Sequence, residues 1–167
     1  MVSKTTVVTI YHCSLERAFK TAMLCDLSKI HTGFIFTPKV THCTEDQNWG
    51  KVGFEKKVHT APSLINKGGF SFSDRVVDRK ENQQWKIEVF NFQTWNFGFS
   101  KFEGAWKTTE LEPKKILIEY SYALHSNSVF FYPMHWLVTK TFFRIYMTRV
   151  LGNIRKMIKA QEPYLYE

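Results

Sequence analysis

Cysteine is scarce in this chain, with only Cys13, Cys25 and Cys43 among its 167 residues. The count is odd and no C-x-x-C pair occurs, which argues against a disulfide framework and favours a reducing compartment. The first residues also lack an apolar run behind a basic patch, so they do not predict a secretory signal peptide. We therefore expect a cytoplasmic protein.

The motifs of common metal and nucleotide sites are missing as well. The histidines show no zinc-ligand spacing, and the adjacent residues of His12-Cys13 and of His42-Cys43 would point to opposite faces of a strand. There is no P-loop, no G-x-G-x-x-G and no G-x-S-x-G. We predict no metal and no cofactor, and catalytic residues stay unassigned.

Long apolar runs are absent too. The stretch from Ser121 to Thr139 contains no Asp, Glu, Lys or Arg. Ser126, Asn127, Pro133 and His135 make this stretch too polar and too broken for a membrane span. It is better explained as a strand end, a loop and the start of a helix.

Positive charge exceeds negative charge by +8 at pH 7, but no run of five or more like charges occurs. Dispersed charge is more typical of a solvated surface than of a dedicated anion-binding face. Nucleic-acid binding is therefore not favoured, and transient contact with an anionic membrane stays open. We interpret the cluster from Phe130 to Leu137 first as an anchor for a helix start, and second as a membrane contact.

Aromatic residues, by contrast, are abundant. They make up 16% of the chain, with 15 Phe, and hydrophobic residues make up 44%. This composition favours an aromatic core or a cavity lined with rings. The chain has the length of one domain and shows no linker or repeat, so we expect a single domain over residues 1–167.

Alternation of apolar and polar residues predicts about seven strands. The first lies at residues 4–10, and Ser14 and Asp26 are candidate N-caps of two short helices behind it. The other strands are predicted at residues 39–45, 52–60, 69–79, 85–94, 100–111 and 116–125. Because the turns are short, we expect an antiparallel meander that forms one highly curved sheet.

Beyond Pro133 the apolar period becomes helical and predicts a long C-terminal helix that stops at Pro163. We interpret Gly152, in mid-helix, as a point of close approach to the sheet. The sheet-facing side is predicted to carry Trp136, Phe143, Met147, Val150, Leu151, Ile154 and Ile158. Together these elements predict an α+β fold in which a curved antiparallel sheet wraps around the C-terminal helix.

This order of elements resembles the START-like superfamily, also called SRPBCC or helix-grip proteins. Residues 8–19, Val-Thr-Ile-Tyr-His-Cys-Ser-Leu-Glu-Arg-Ala-Phe, look like its first strand and helix. Gly104-Ala105-Trp106-Lys107 and residues 115–120 look like its last strands, and Phe142 to Lys159 looks like its terminal helix. The superfamily includes polyketide cyclases, lipid-transfer domains, coenzyme Q-binding proteins and plant pollen allergens. The resemblance implies an apolar pocket between sheet and helix.

Strand parity predicts which side chains would face that pocket. Asn91, Thr108, Tyr120 and Tyr122 would be polar groups in an otherwise apolar cleft, which is the usual make-up of a small-molecule site. The predicted lining is Trp85, Ile87, Val89, Asn91, Trp106, Thr108, Ile118, Tyr120, Tyr122, Phe143, Met147 and Leu151. Three strand carboxylates, Asp74, Asp78 and Glu88, alternate with basic residues and are interpreted as part of a solvated, charge-paired face.

These features predict a protein that binds or carries an apolar small molecule, such as a lipid, an isoprenoid or a polyketide-like ring. Two alternatives stay open. The pocket would suit a cyclase- or dehydratase-type enzyme if it held a polar pair with perturbed pKa values, and the basic surface would suit an anionic membrane or nucleic acid. Passive binding is favoured over catalysis.

Overall fold

Seven strands form one antiparallel sheet in this computed structural model, which describes residues 1–63, 66–93 and 98–167. The predicted number of strands is confirmed. The strands are β1 (Val2–His12), β2 (Val40–Thr44), β3 (Glu55–Thr60), β4 (Gly69–Lys80), β5 (Gln84–Phe90), β6 (Phe99–Glu112) and β7 (Lys115–Ser126).

The sheet is a meander closed by the first strand. Its spatial order is β1-β7-β6-β5-β4-β3-β2, so each strand from β2 to β7 pairs with its neighbour in sequence and β1 lies beside β7. The register shifts within the β2–β3, β3–β4, β4–β5 and β6–β7 pairs. Such irregularities bend strands, and the sheet is accordingly curved, with a concave inner face.

Two short helices follow β1, as predicted. They are α1 (Leu15–Leu24) and α2 (Leu27–Ile30). The Ser14 hydroxyl accepts a hydrogen bond from the Arg17 backbone N–H at 3.2 Å, and Asp26 Oδ1 accepts one from the Ser28 N–H at 2.9 Å. Both predicted N-caps are therefore confirmed.

The C-terminal helix runs from Tyr132 to Lys159 in three parts: α3 (Tyr132–Val138), a π-helical turn (Thr139–Phe143) and α4 (Arg144–Lys159). A π-helical turn takes up one extra residue, which rotates the preceding face by roughly 100°. As a result Trp136, predicted to face the sheet, is 49% exposed, whereas His135 and Thr139 are fully buried. The sequence located the helix but not this turn.

Beyond the turn, α4 presents its predicted apolar face to the interior, with Met147, Val150 and Ile154 all buried. A Cβ atom at Gly152 would meet no atom within 4 Å, so the interpretation of this glycine as a point of close approach is wrong. No helix in the described ranges is both long and apolar enough to cross a membrane.

Strands β3 and β5 are shorter than predicted because the backbone leaves the extended region next to each of them. Val52 and Phe54 were assigned to β3 but are exposed and precede it, and Gly53 between them has a φ of +87°. Strand β5 ends at Phe90 because Asn91 has a φ of +55°, in the left-handed region. Thr94, the predicted end of this strand, lies outside the described residues.

Candidate functional site

A cavity of about 130 Å³, called here the sheet–helix cavity, lies between the sheet and the helices. Residues of α1, α2, strands β2 to β7 and the C-terminal helix border it. An apolar cavity of roughly 150 Å³ can hold a benzene molecule. The sheet–helix cavity is therefore of the size that a single aromatic ring requires.

Aromatic rings in continuous contact form one wall of this cavity. The rings of Trp85 and Trp106 stack with centroids 5.7 Å apart and planes inclined by 3°. The rings of Tyr120 and Trp106 meet edge to face with centroids 5.4 Å apart, and Tyr122 meets Phe143 of the helix in the same way at 5.2 Å. Because offset and edge-to-face pairs attract beyond their burial, this wall connects sheet and helix firmly.

Most of the predicted apolar and tyrosine positions border the sheet–helix cavity. They are Trp85, Ile87, Val89, Trp106, Tyr120, Tyr122 and Phe143. Alternation along β5, β6 and β7 is sufficient to place them on the inner face. Contact of these residues with a ligand stays a prediction.

Asn91 and Thr108 do not border the cavity, which corrects the prediction for both. Asn91 is exposed just after β5, and its Oδ1 accepts a hydrogen bond from Gln93 Nε2 at 3.0 Å. Thr108 is buried, but its hydroxyl donates to the Asn82 carbonyl oxygen at 2.8 Å. Its hydrogen-bonding capacity is thus used at the turn between β4 and β5.

Three further predicted residues, Ile118, Met147 and Leu151, pack in the core without bordering the cavity. Tyr11 of β1 fills this part of the interior, where its hydroxyl donates to the Leu151 carbonyl oxygen at 2.8 Å and its ring lies 6.4 Å from that of Trp106. The spacing of apolar residues identifies the buried face of a helix or strand. It does not show which part of that face is covered by a side chain of another strand and which part borders the cavity.

Two charged side chains border the cavity that sequence reasoning did not place there. Lys56 of β3 and Asp74 of β4 are direct cross-strand partners, and they are 2% and 4% exposed. Lys56 Nζ lies 3.8 Å from the centroid of the Trp49 ring, a cation–π contact. Asp74 Oδ1 accepts no hydrogen bond from any described residue.

The Asp74 carboxyl has an unusual affinity for protons. Burial raises its pKa to about 6, although the Lys56 ammonium acts in the opposite direction. Around pH 6 the group is therefore present both as a carboxylate, which only accepts hydrogen bonds, and as an acid, which also donates one.

His31 and Tyr146 add a second polar pair to the cavity wall. The Tyr146 hydroxyl and His31 Nδ1 are joined by a hydrogen bond. Burial, together with the nearby Lys56 ammonium, lowers the pKa of His31 to about 4. The imidazole ring is therefore neutral at pH 7 and contributes no charge to the cavity.

The Asp74 carboxylate also affects the pKa values of three tyrosines that border the cavity. Burial is the main cause that raises the pKa values of Tyr120, Tyr122 and Tyr146, and the Asp74 carboxylate raises each of them further. All three hydroxyls thus remain protonated at neutral pH and can donate hydrogen bonds.

The interpretation of Asp74 as part of a solvated face is wrong. Asp78 and Glu88, which were grouped with it, do form ion pairs, with Lys86 at 3.8 Å and Lys101 at 2.9 Å. Asp74 instead lies on the concave side of the same sheet.

Strand parity contained the signal for both missed residues. Asp74 is two positions from Val76, which is fully buried on β4, and Lys56 is two positions from Val58, which is fully buried on β3. Alternate residues share a face, so both charges belong inside. The interpretation of Asp74 as a surface charge rests on its charged neighbours and disregards this pattern, and Lys56 received no interpretation.

Solved structures with little sequence in common share this fold. Ara h 8.0201 matches with a TM-score of 0.70 at 11% identity, over 96% of this chain and 99% of that one. Norcoclaurine synthase from Thalictrum flavum, in complex with dopamine and hydroxybenzaldehyde, matches with a TM-score of 0.66 at 11% identity, over 98% and 90%. A point mutant of that synthase in complex with a transition state analogue gives 0.65 at 12% identity, over 96% of both chains.

The chain has the helix-grip fold of the START-like superfamily. The resemblance inferred from the sequence is confirmed at the level of the fold. No family model and no curated protein matches the sequence. Identities near 11% show the fold of this chain and not its ligand, so its function has to be argued from the cavity.

The sheet–helix cavity also meets the requirement stated above for a cyclase- or dehydratase-type enzyme. That alternative requires a polar pair with a perturbed pKa inside the pocket. Asp74, whose pKa is raised by burial, borders the cavity together with Lys56. Binding and catalysis both stay open on this ground.

In the described ranges, no group of three or more His, Cys, Asp or Glu side chains is arranged to hold a metal ion.

Proposed function

We propose that the protein binds a small, mainly apolar molecule of single-ring size in the sheet–helix cavity. The observation that carries the proposal is the cavity itself, about 130 Å³ bordered largely by aromatic and aliphatic side chains within the core. Protein interiors contain few voids larger than a water molecule. A cavity of this size with a few polar groups is the usual form of a ligand site.

Cavity size favours a single ring over the larger molecules expected from the resemblance. Pockets for drug-sized ligands measure roughly 300–1,000 Å³, well above the volume found here. A lipid, an isoprenoid or a polyketide-like ring system would require the walls to move apart. These three classes are therefore the alternative ligands against which a single-ring probe is tested.

Titration calorimetry with toluene tests the proposal. We expect saturable binding to the wild type and its loss in Val150→Phe, because Val150 is a buried wall residue and the larger ring would fill the cavity. Val8→Phe is the matched control, since Val8 is 58% exposed on β1, and it should bind toluene like the wild type.

Native mass spectrometry after incubation with mixed lipids completes this test. Failure of the wild type to bind toluene, combined with the absence of any retained lipid, would overturn the proposal. Retention of a lipid without toluene binding would replace the single-ring class by the lipid class.

A second candidate function, contact with an anionic membrane, is supported by an exposed apolar patch at the start of the C-terminal helix. Within the cluster from Phe130 to Leu137, His135 anchors the start of the helix by stacking on Phe99 at 4.1 Å. Phe130, by contrast, is 96% exposed and takes no part in that anchor. The patch consists of Val129, Phe130, Phe131, Met134, Trp136 and Leu137.

Charge supports an anionic partner for this patch. No Asp or Glu occurs from residue 120 to residue 161, and the basic residues of that segment are Lys140, Arg144, Arg149, Arg155, Lys156 and Lys159. Interfacial binding combines inserted apolar side chains with basic residues that attract anionic lipids. Co-sedimentation with phosphatidylserine-containing vesicles tests this candidate.

A further inference from the structure

Lys56 and Asp74 give the sheet–helix cavity a polar end that an apolar ligand alone does not use. Both side chains are more than nine-tenths buried and both border the cavity. They oppose each other on β3 and β4, and cross-strand partners on one face have Cβ atoms about 4.5–5.5 Å apart. The amine and the carboxyl therefore belong to one local site.

Hydrogen-bonding capacity at this site is unused by the described residues. Asp74 Oδ1 is a buried acceptor without a donor. The Lys56 ammonium has three N–H donors, and its close contact is with the face of the Trp49 ring. No direct ion pair joins Lys56 to Asp74 in the described ranges. Buried polar groups in native proteins nearly always find partners, so the site is suited to a group that serves both.

We propose that the ligand carries a hydroxyl group on its ring, and that this hydroxyl lies between Lys56 and Asp74. A hydroxyl oxygen accepts a hydrogen bond from the Lys56 ammonium, while its O–H donates to Asp74 Oδ1. The chemical class is thus a single-ring phenol or a cyclic alcohol of the same size. This inference rests on the proposed function, since it requires a ligand in the cavity.

The charges of the pair disfavour ionic head groups. A ligand carboxylate would attract Lys56 but repel the Asp74 carboxylate, and a ligand ammonium would do the reverse. A neutral group that both accepts and donates satisfies the two residues together. The apolar walls around them leave the rest of the ring in contact with aromatic side chains.

Calorimetric comparison of phenol with toluene and fluorobenzene on the wild type is the primary test. The three probes have similar size, but only phenol donates and accepts a hydrogen bond at its substituent. A site built to bind a hydroxyl discriminates strongly against an analogue that lacks it. We expect phenol to bind at least about tenfold more tightly than either of the other probes.

Single variants test whether Lys56 and Asp74 cause the preference for phenol over toluene. The measured quantity is the ratio of phenol to toluene affinity, which we expect to fall towards one in both Lys56→Met and Asp74→Leu. Lys57→Met is the matched control, because Lys57 is the adjacent residue of β3 and is paired with Glu45 on the exposed side at 2.5 Å. It should keep the wild-type ratio.

The outcomes separate this inference from the proposed function. If toluene binds the wild type and phenol binds no more tightly, the hydroxyl inference fails while the proposed function stands. If neither probe binds, both fail. A phenol preference that persists in both variants would also overturn the inference, and the wild-type comparison alone decides the matter if a variant does not fold.

Discussion

Asp74 and His31 border the same cavity, and their pKa values move in opposite directions. Burial raises the pKa of Asp74 from 3.8 to about 6, and it lowers the pKa of His31 from 6.5 to about 4. Between about pH 4 and 6, folded Asp74 keeps a proton that the unfolded chain releases, so its contribution to stability falls as pH rises. In the same range His31 stays neutral in the folded protein, whereas the unfolded chain binds a proton at this residue. The contribution of His31 to stability therefore falls as pH falls.

A shift of one pKa unit corresponds to 1.36 kcal/mol, so the contribution of each residue to the free energy of unfolding changes by about 3 kcal/mol between its two pKa values. The two slopes therefore oppose each other in the wild type. We expect Asp74→Asn to gain up to about 3 kcal/mol of stability relative to the wild type between pH 4 and pH 7. For His31→Asn we expect the relative change of opposite sign, a gain at pH 4 that disappears by pH 7.

Urea unfolding at pH values from 4 to 7 measures both effects. The double variant Asp74→Asn, His31→Asn is the control, because removal of both groups should restore a pH dependence close to that of the wild type. Parallel pH profiles for the wild type and the single variants would contradict the assignment of these shifts.

Strand β6 carries a glycine at a position where its neighbours leave no room. A Cβ atom at Gly104 would lie 2.9 Å from Tyr122 Cζ and 3.0 Å from Ile87 Cγ1, on the two flanking strands. Gly104→Ala forces one of these cavity-wall side chains to shift, and overpacking of this kind lowers the free energy of unfolding by about 1–3 kcal/mol.

Gly152→Ala in α4 is the control for Gly104→Ala, and we expect it to raise stability instead of lowering it. Nothing lies within 4 Å of a Cβ atom there, and Ala is favoured over Gly in a helix by about 0.5–1 kcal/mol. We therefore expect a small gain in stability for this variant in urea unfolding, against a loss for Gly104→Ala. A loss of similar size in both would contradict the packing described for the two sites.

Much of the element order could be predicted because the signals are local. Alternation along a strand and the spacing of Val150, Leu151 and Ile154 along α4 depend only on nearby residues. The π-helical turn at Thr139–Phe143 was not predictable in this way, because Trp136 and Phe143, seven residues apart, fit the spacing of an uninterrupted α-helix. The exposure of Trp136 follows from that turn.

At the scale of the whole molecule, positive charge and exposed apolar side chains coincide on the C-terminal segment. We expect the protein to co-sediment with vesicles that contain phosphatidylserine, and much less with phosphatidylcholine vesicles, because each basic residue near an anionic surface adds about 1 kcal/mol. High salt should weaken this binding, since it screens exposed charges.

Leu137→Ser should reduce the vesicle-bound fraction severalfold, because Leu137 belongs to the exposed apolar patch and is 54% exposed. Leu165→Ser is the matched control at 61% exposure outside the patch, and it should bind like the wild type. Equal loss in the two variants, or equal binding to both kinds of vesicle, would exclude the patch as the contact surface.

The sequence by itself determined the fold class and most of the inner face, because strand and helix periods record which side of each element is buried. Tertiary structure decided where the interior is filled and where it is open. Tyr11 of β1 fills the region beside Leu151, whereas Lys56 and Asp74 border the open region. These outcomes depend on packing between segments that are distant in sequence, and no local period carries that information.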